Sequence, residues 1–358
     1  MTLFDSPAFE GHEGVHAFSD EKSGLKAIIA VHSTARGPAA GGCRMWPYAD
    51  AEAALTDALR LSRAMSFKNA MADLELGGGK AVIIGDSRTQ KSPALFEAFG
   101  GCVEQLGGRY WTAEDVGVSP ADLTHARKRT NYVAGLEGGA SASGDPSPVT
   151  AEGVFRGVQL CVRRALGREL DGVTVAIQGV GHVGGYLADK LHAAGARLIL
   201  TDVNAEQLHA VAARTGAHVV APGAIFDIDC DVFAPCALGG AVNAQTLPRI
   251  KARVIAGAAN NQLADPETGR AVFQRGTLYA PDYVINGGGI INVAGEIRAI
   301  ELGEAFDPAW VDAKLERLTR TLEEVLDRAQ AENRPTHEVA NEVAQARISI
   351  AAEKRAAA

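Results

Sequence analysis

Lys80 closes a glycine run in Glu75–Asp86, ELGGGKAVIIGD, and opens a stretch of apolar residues. A lysine at the mouth of a buried strand loses solvation unless it meets an anion or works unprotonated. A small ligand is therefore expected beside it. A second cation, Lys68, lies in MSFKNA (65–70), where the two lysines bracket a turn into the strand, and a carboxylate, Asp115, lies in YWTAEDVG (110–117). Two cations held close depress each other's pKa, so one can act as a neutral amine base while the other holds an anion. Read singly, Lys68 also fits a solvated helix-end lysine and Asp115 a helix-start carboxylate. A phosphate loop is excluded, because GxxxxGK[ST] needs Gly at 74 and Ser or Thr at 81, where the chain has Leu74 and Ala81.

The second chemical signal is Val173–Asp202, VTVAIQGVGHVGGYLADKLHAAGARLILTD. A strand, Gly179-x-Gly181-x-x-Gly184, a helical stretch and a second strand ending in Asp202 meet the full context of a dinucleotide fingerprint. Gly179 makes the tight turn, Gly181 lets the backbone approach a pyrophosphate, and Gly184 lets the helix pack on the sheet. The helix N-terminus offers free N–H groups to the phosphates. Asp202 suits the ribose hydroxyls and would repel a 2′-phosphate, which favours NAD over NADP. Val180, His182 and Val183 fall inside the turn; His182 either leans over the pyrophosphate or faces solvent.

The elements that must hold these groups read as α/β. Leu25–His32 and Lys80–Ile84 are apolar, β-branched strands, and Asp50–Met65 between them is a helix capped by Asp50. Glu137–Pro148, EGGASASGDPSP, reads as a loop or hinge. Helical periodicity resumes over Thr150–Leu166, and Pro308–Gln330 is a long amphipathic helix whose tail can pack back on the first domain. The expected ranges are 1–145 for a substrate and oligomerisation domain, 146–328 for a Rossmann domain and 329–358 for C-terminal helices.

The 358 residues are too long for one core and suit two domains. A formal charge of −8 argues against a nucleic-acid surface. No apolar run spans a bilayer, and the start lacks the features of a secretory signal. Five cysteines without a CxxC pair fit a reducing cytoplasm and no thiolate metal site. HEGVH at His12–His16 matches HExxH formally, but Gly11 and Gly14 oppose the helix that zinc ligation needs. A non-catalytic dinucleotide sensor would need neither lysine nor Asp115.

GPAAGGCRMW (37–46), MSFKNA, LGGGKAVIIGD, YWTAEDVG, SGDPSPVTA (143–151), the fingerprint, CDVFAPCALGG (230–240), GAANNQLAD (257–265) and YAPDYVINGGGIINVAGE (279–296) together resemble the leucine and phenylalanine dehydrogenases of the glutamate, leucine, phenylalanine and valine dehydrogenase superfamily. The resemblance spans nearly the whole chain in family order. It implies that Lys80 is the catalytic base, Lys68 the ligand of the substrate carboxylate and Asp115 the carrier of protons to and from the amine. It also implies Gly41 and Gly42 beside the substrate, Asn261 in preference to Asn260 at the substrate, and Asn260, Thr150, Val203, Cys236 and Ala237 at the cofactor. The reaction implied is reversible, NAD-dependent deamination of an L-amino acid to its 2-oxo acid and ammonia, in a homo-oligomer whose domains close about the hinge. The side-chain pocket maps to Ala40, Ala113, Ile290 and Val293, all apolar, so leucine and branched neighbours are expected first and phenylalanine second. Glutamate-specific relatives carry a lysine where this chain has Ala40. Gly287 replaces an alanine common in the family and is expected to loosen its loop.

Overall fold

The computed structural model describes residues 3–357; Met1, Thr2 and Ala358, which fall in the expected domain ranges, lie outside the described residues. Its first half contains β1 (Gly14–Asp20), β2 (Leu25–Ser33), β3 (Ala39–Trp46), α1 (Ala51–Met71), β4 (Gly77–Ile84), α2 (Pro93–Glu104), β5 (Tyr110–Ala113) and α3 (Pro120–Arg127). The sheet order is β1-β2-β4-β3-β5, antiparallel from β1 through β4 and parallel across β4, β3 and β5. Asp50 caps α1 by accepting from Ala53 N at 2.7 Å, as its sequence position suggests. The helix runs on to Met71, so Lys68 sits in its last turn and the connection to β4 lies between the two lysines. Ser66 and Asn69 can be buried there because each has a partner: His32 Nδ1 lies 2.7 Å from Ser66 Oγ, and Asn69 Nδ2 donates to Gly77 O at 2.5 Å.

The glycines before Lys80 belong to β4 and have a packing role. A Cβ on Gly78 would collide with Ser66 N and lie 2.5 Å from Ser62 O, one on Gly77 would strike Ser33 O, and one on Gly79 would come within 2.6 Å of the Tyr110 ring. Gly78 lets the backbone of α1 rest on the strand, while Gly77 and Gly79 admit the end of β2 and the Tyr110 ring, which accounts for the missing side chains without any ligand.

The second half holds α4 (Ser147–Leu166), β6 (Thr174–Gln178), α5 (His182–Ala193), β7 (Arg197–Thr201), α6 (Ala205–Thr215), β8 (His218–Val219), β9 (Val232–Pro235), β10 (Val254–Ile255), α7 (Pro266–Gln274), β11 (Leu278–Tyr279) and α8 (Asp282–Ile285). Its parallel sheet has the order β11-β10-β9-β6-β7-β8, with β6 central and the chain leaving it first to one side and then to the other. That is the doubly wound Rossmann arrangement. Three helices follow: α9 (Gly288–Leu302), α10 (Pro308–Glu332) and α11 (Thr336–Ala357).

Three consecutive segments were expected from the sequence, whereas two units interleave. One comprises the chain up to Asp145 with Ile290–Val311 and the end from Ala344; the other comprises Pro146–Gly289 and Asp312–Val343. Most of α10 therefore belongs to the Rossmann unit, and the final turns of α11 rejoin the first, where Arg347 Nη1 donates to Ala70 O at 3.1 Å. Within the first unit, Glu296 of α9 is buried and fixes the loop before Asp145: it accepts from Leu136 N at 3.2 Å, Ser143 N at 3.1 Å and Ser143 Oγ at 2.7 Å.

Candidate active site

Alternation along β3 puts Ala40, Gly42 and Arg44 on one face. The ladders pair Ala40 with Gly78, Cys43 with Ala81 and Gly42 with Ala113, so Lys80 of β4 and Ala113 of β5 flank Gly42 on that face. A Cβ at Gly42 would strike Glu114 O and lie 2.9 Å from Asp115 Cβ; the bare position is where Asp115 settles. Gly41 is equally constrained, since a Cβ there would meet Gly79 O. Asp115 is not at a helix start. It opens a turn in which Val118 N donates to Asp115 O at 2.9 Å and Gly117 takes φ +80°, and the turn docks through Met45 N to Val116 O at 3.0 Å.

Lys80 is only 6% exposed, and its Nζ lies 2.5 Å from Asp115 Oδ2. A cation so buried needs that partner. Arg44 Nε approaches the same oxygen at 3.3 Å, while its Nη1 reaches Asp57 Oδ2 at 3.0 Å; Tyr48 Oη donates to that Asp57 oxygen at 2.5 Å. Burial pushes the Asp115 carboxyl up, but Lys80 and then Arg44 outweigh it and hold it down at about 2. Sequence reasoning missed Arg44, Tyr48 and Asp57; only Arg44 lay in a noted motif. Ala40, Ala113, Ile290 and Val293 are all buried, and Ile290 and Val293 lie on the part of α9 that belongs to this same unit. His16 is on strand β1, so His12 and His16 share no helix face. His12 Nε2 instead lies 3.0 Å from Leu59 O and 3.1 Å from Ser62 Oγ.

In the Rossmann unit the turn after β6 has the expected anatomy. Gly179 takes φ +95° and faces Ala237, where a Cβ would come within 2.8 Å; a Cβ on Gly184 would strike Gly179 O. Around Gly181, by contrast, an added Cβ would meet nothing within 4 Å. α5 begins at His182 with no side chain capping it, so its first N–H groups are available to an anion. Asp202, at the end of β7, accepts from Val180 N at 2.7 Å and Asn204 N at 2.8 Å, and each oxygen retains a further lone pair for a ribose hydroxyl. Val183 is half-buried, whereas His182 and Val203 are exposed. Cys236 and Ala237 follow β9, across the switch point from Gly179. Cys236 is no reactive thiol, because burial pushes it up to about 12. Open space, an uncapped helix and a placed carboxylate fit a pyridine dinucleotide.

The other named positions of this unit are tied to their surroundings. Thr150 Oγ1 donates to Pro146 O at 2.9 Å. Asn260 Oδ1 accepts from Asn286 Nδ2 at 2.9 Å, and Asn261, at φ +52°, donates its N–H to Asp282. A methyl at Gly287 would meet Leu318 Cδ2 at 3.2 Å, tight enough that glycine suits the packing.

Two family profiles cover the chain: the Glu/Leu/Phe/Val dehydrogenase dimerisation domain over residues 12–132, and the glutamate/leucine/phenylalanine/valine dehydrogenase domain over 139–204 and 197–356. Leucine dehydrogenase of Geobacillus stearothermophilus is 48% identical over 97% of this chain and 94% of its own length. Phenylalanine dehydrogenase of Bacillus thermotolerans is 43% identical over 97% and 91%. The crystal structure of L-tryptophan dehydrogenase from Nostoc punctiforme superposes with a TM-score of 0.84 at 39% identity, covering 98% of this chain and 99% of that one. Among the described residues no helix is long and apolar enough to cross a membrane. The chain belongs to the glutamate, leucine, phenylalanine and valine dehydrogenase family and is a pyridine-nucleotide-dependent amino acid dehydrogenase.

Proposed function

We propose that this enzyme uses NAD to deaminate a hydrophobic L-amino acid reversibly, leucine and its branched neighbours first, to the 2-oxo acid and ammonia. The observation that carries the reading is the buried Lys80–Asp115 pair on the same sheet face as Ala40 and Ala113. The first unit is the substrate domain and the Rossmann unit the cofactor domain in this reading.

Lys68 binds the α-carboxylate through a charge-assisted bond of roughly 1.5 to 3 kcal/mol, which orients Cα. Once Lys80 is neutral, Asp115 loses the charge that most holds its carboxyl down and receives a proton from the substrate ammonium, leaving a neutral amine. Bound NAD, held by Gly179–Gly184 and Asp202, supplies what no side chain can, an acceptor for the hydride of Cα. Lys80, as a neutral amine, takes a proton from the water that adds to the resulting iminium carbon. Asp115 returns a proton to the nitrogen, and the carbinolamine expels ammonia as its hydroxyl proton passes to solvent, to which Lys80 also gives up the proton it took from water. Asn261 is assigned to the substrate, and Thr150, Cys236, Ala237 and Asn260 to the cofactor. Asp202 favours NAD because its charge would repel a 2′-phosphate. Homo-oligomer formation accords with the dimerisation-domain match, and the free thiols of all five cysteines suit a reducing cytoplasm.

A panel of L-amino acids with NAD, followed by absorbance of the reduced cofactor, tests the reading. Leucine, isoleucine and valine are expected to lead, phenylalanine to follow and glutamate to fail for want of a cation at Ala40. Glutamate outrunning leucine, or no reduction with any amino acid, would overturn it.

A further inference from the structure

Two cations meet one oxygen in the first unit: Lys80 Nζ and Arg44 Nε lie 2.5 Å and 3.3 Å from Asp115 Oδ2. Asp115 is thus shared between two cations, and of the pair Arg44 alone has a second carboxylate among the described residues, Asp57, at 3.0 Å. Of the two, a guanidinium keeps its proton in a protein, whereas an ammonium can release it. We propose that Arg44 is the positioning residue that makes Lys80 the proton-releasing member of the site, by claiming a share of the Asp115 carboxylate. The inference rests on the base role given to Lys80 above.

The surroundings support it. Arg44 is held from behind by Asp57 at 3.0 Å, and Tyr48 Oη fixes that carboxylate at 2.5 Å, so the guanidinium cannot simply move off Asp115. Other groups near the pair are neutral or already matched. Cys43 of β3 and Tyr110 of β5 are buried and held in their protonated forms by burial. His32 of β2 is pushed down to about 4 by burial and so carries no charge near neutrality. Asp122 of α3 is paired with Lys91 at 2.5 Å. The charges in direct contact are Lys80, Asp115, Arg44 and Asp57; Glu114 precedes Asp115 in the chain, and Lys68 lies in the last turn of α1. The sequence pointed to Lys68 as the second cation, and the structure adds Arg44 on the carboxylate itself.

The test is the pH profile of kcat/KM for the NAD-dependent reaction with the best amino acid of the panel. Below its rising limb the rate increases tenfold per pH unit as the base deprotonates. Arg44→Met removes a like charge and favours the ammonium, so the limb should move about one unit higher, a roughly tenfold loss at fixed pH below it. Arg44→Lys keeps the charge and should restore most of that shift. Asp57→Asn removes the anion behind Arg44 and should move the limb the other way, to lower pH. Damage to packing alone would not move the limb in opposite directions. If Arg44→Met does not fold, the Lys and Asn variants decide: a limb unmoved in Asp57→Asn, or moved upward, overturns the inference. Lys80→Ala separates the two failures. If it is inactive while the Arg44 and Asp57 variants leave the limb in place, the inference fails and the reading of Lys80 stands; near-wild-type turnover in Lys80→Ala defeats the reading itself.

Discussion

Glycine runs occur in both units, and they do different work. In β4 and β3 the space a side chain would fill already holds protein: Ser66 N against Gly78, Gly79 O against Gly41, and the Asp115 turn against Gly42. In the turn after β6, Gly179 and Gly184 are crowded in the same way, but Gly181 faces open space at an uncapped helix end. The contrast separates glycines that let protein approach protein from one that leaves room for a ligand. Lys80 is thus placed by packing, since the close fit of α1, β3 and β4 fixes where its amine meets Asp115.

The same substitution on the two sides should break in opposite ways. Gly78→Ala drives a methyl into the α1 backbone and should cost roughly 3 kcal/mol or more of unfolding free energy, read by chemical denaturation. A stable Gly78→Ala protein would refute the packing account. The Asp115 ion pair gives the next largest effect. Its carboxyl is held at about 2, below the ordinary 3.8, so its stabilisation is fully present above the unfolded pKa and is lost as pH falls through about 2. Between pH 5 and pH 2 the wild type should lose about 2 kcal/mol more than Asp115→Asn, measured by denaturation at each pH. Gly181→Ala should leave unfolding within about 1 kcal/mol of wild type yet weaken NAD at least tenfold by titration; normal NAD affinity would remove the distinction between the two glycine types. Smallest is Asp202→Ala, which should lower affinity for NAD more than for NADP by a few-fold, and an unchanged preference would contradict the ribose assignment.

These differences follow how far apart the relevant residues lie in the chain. The dinucleotide turn was fully legible because strand, turn, helix and Asp202 fall within thirty residues and each has a local signature. Strand β3 was not, because the paired Gly41 and Gly42 carry no strand signature until Gly79 and the Asp115 turn are seen pressed against them. α1 was read six residues short for a related reason: the partners that satisfy Ser66 and Asn69 inside, His32 and Gly77, lie on the strands β2 and β4 and not on the helix. The Lys80 and Asp115 positions were legible through family motifs. Their link to Arg44 and Asp57 was not, since β3, α1 and the turn after β5 converge only in the folded unit. The division of the C-terminal helices was hidden likewise, because amphipathic periodicity in α10 shows that a face is buried and not which unit buries it.

The most direct measurement is turnover by Lys80→Ala with L-leucine and NAD, set beside its affinity for NAD. The account predicts cofactor affinity close to wild type and turnover lower by several orders of magnitude, because the protein loses the amine that draws a proton from water. Turnover within tenfold of wild type, at unchanged NAD affinity, would contradict it.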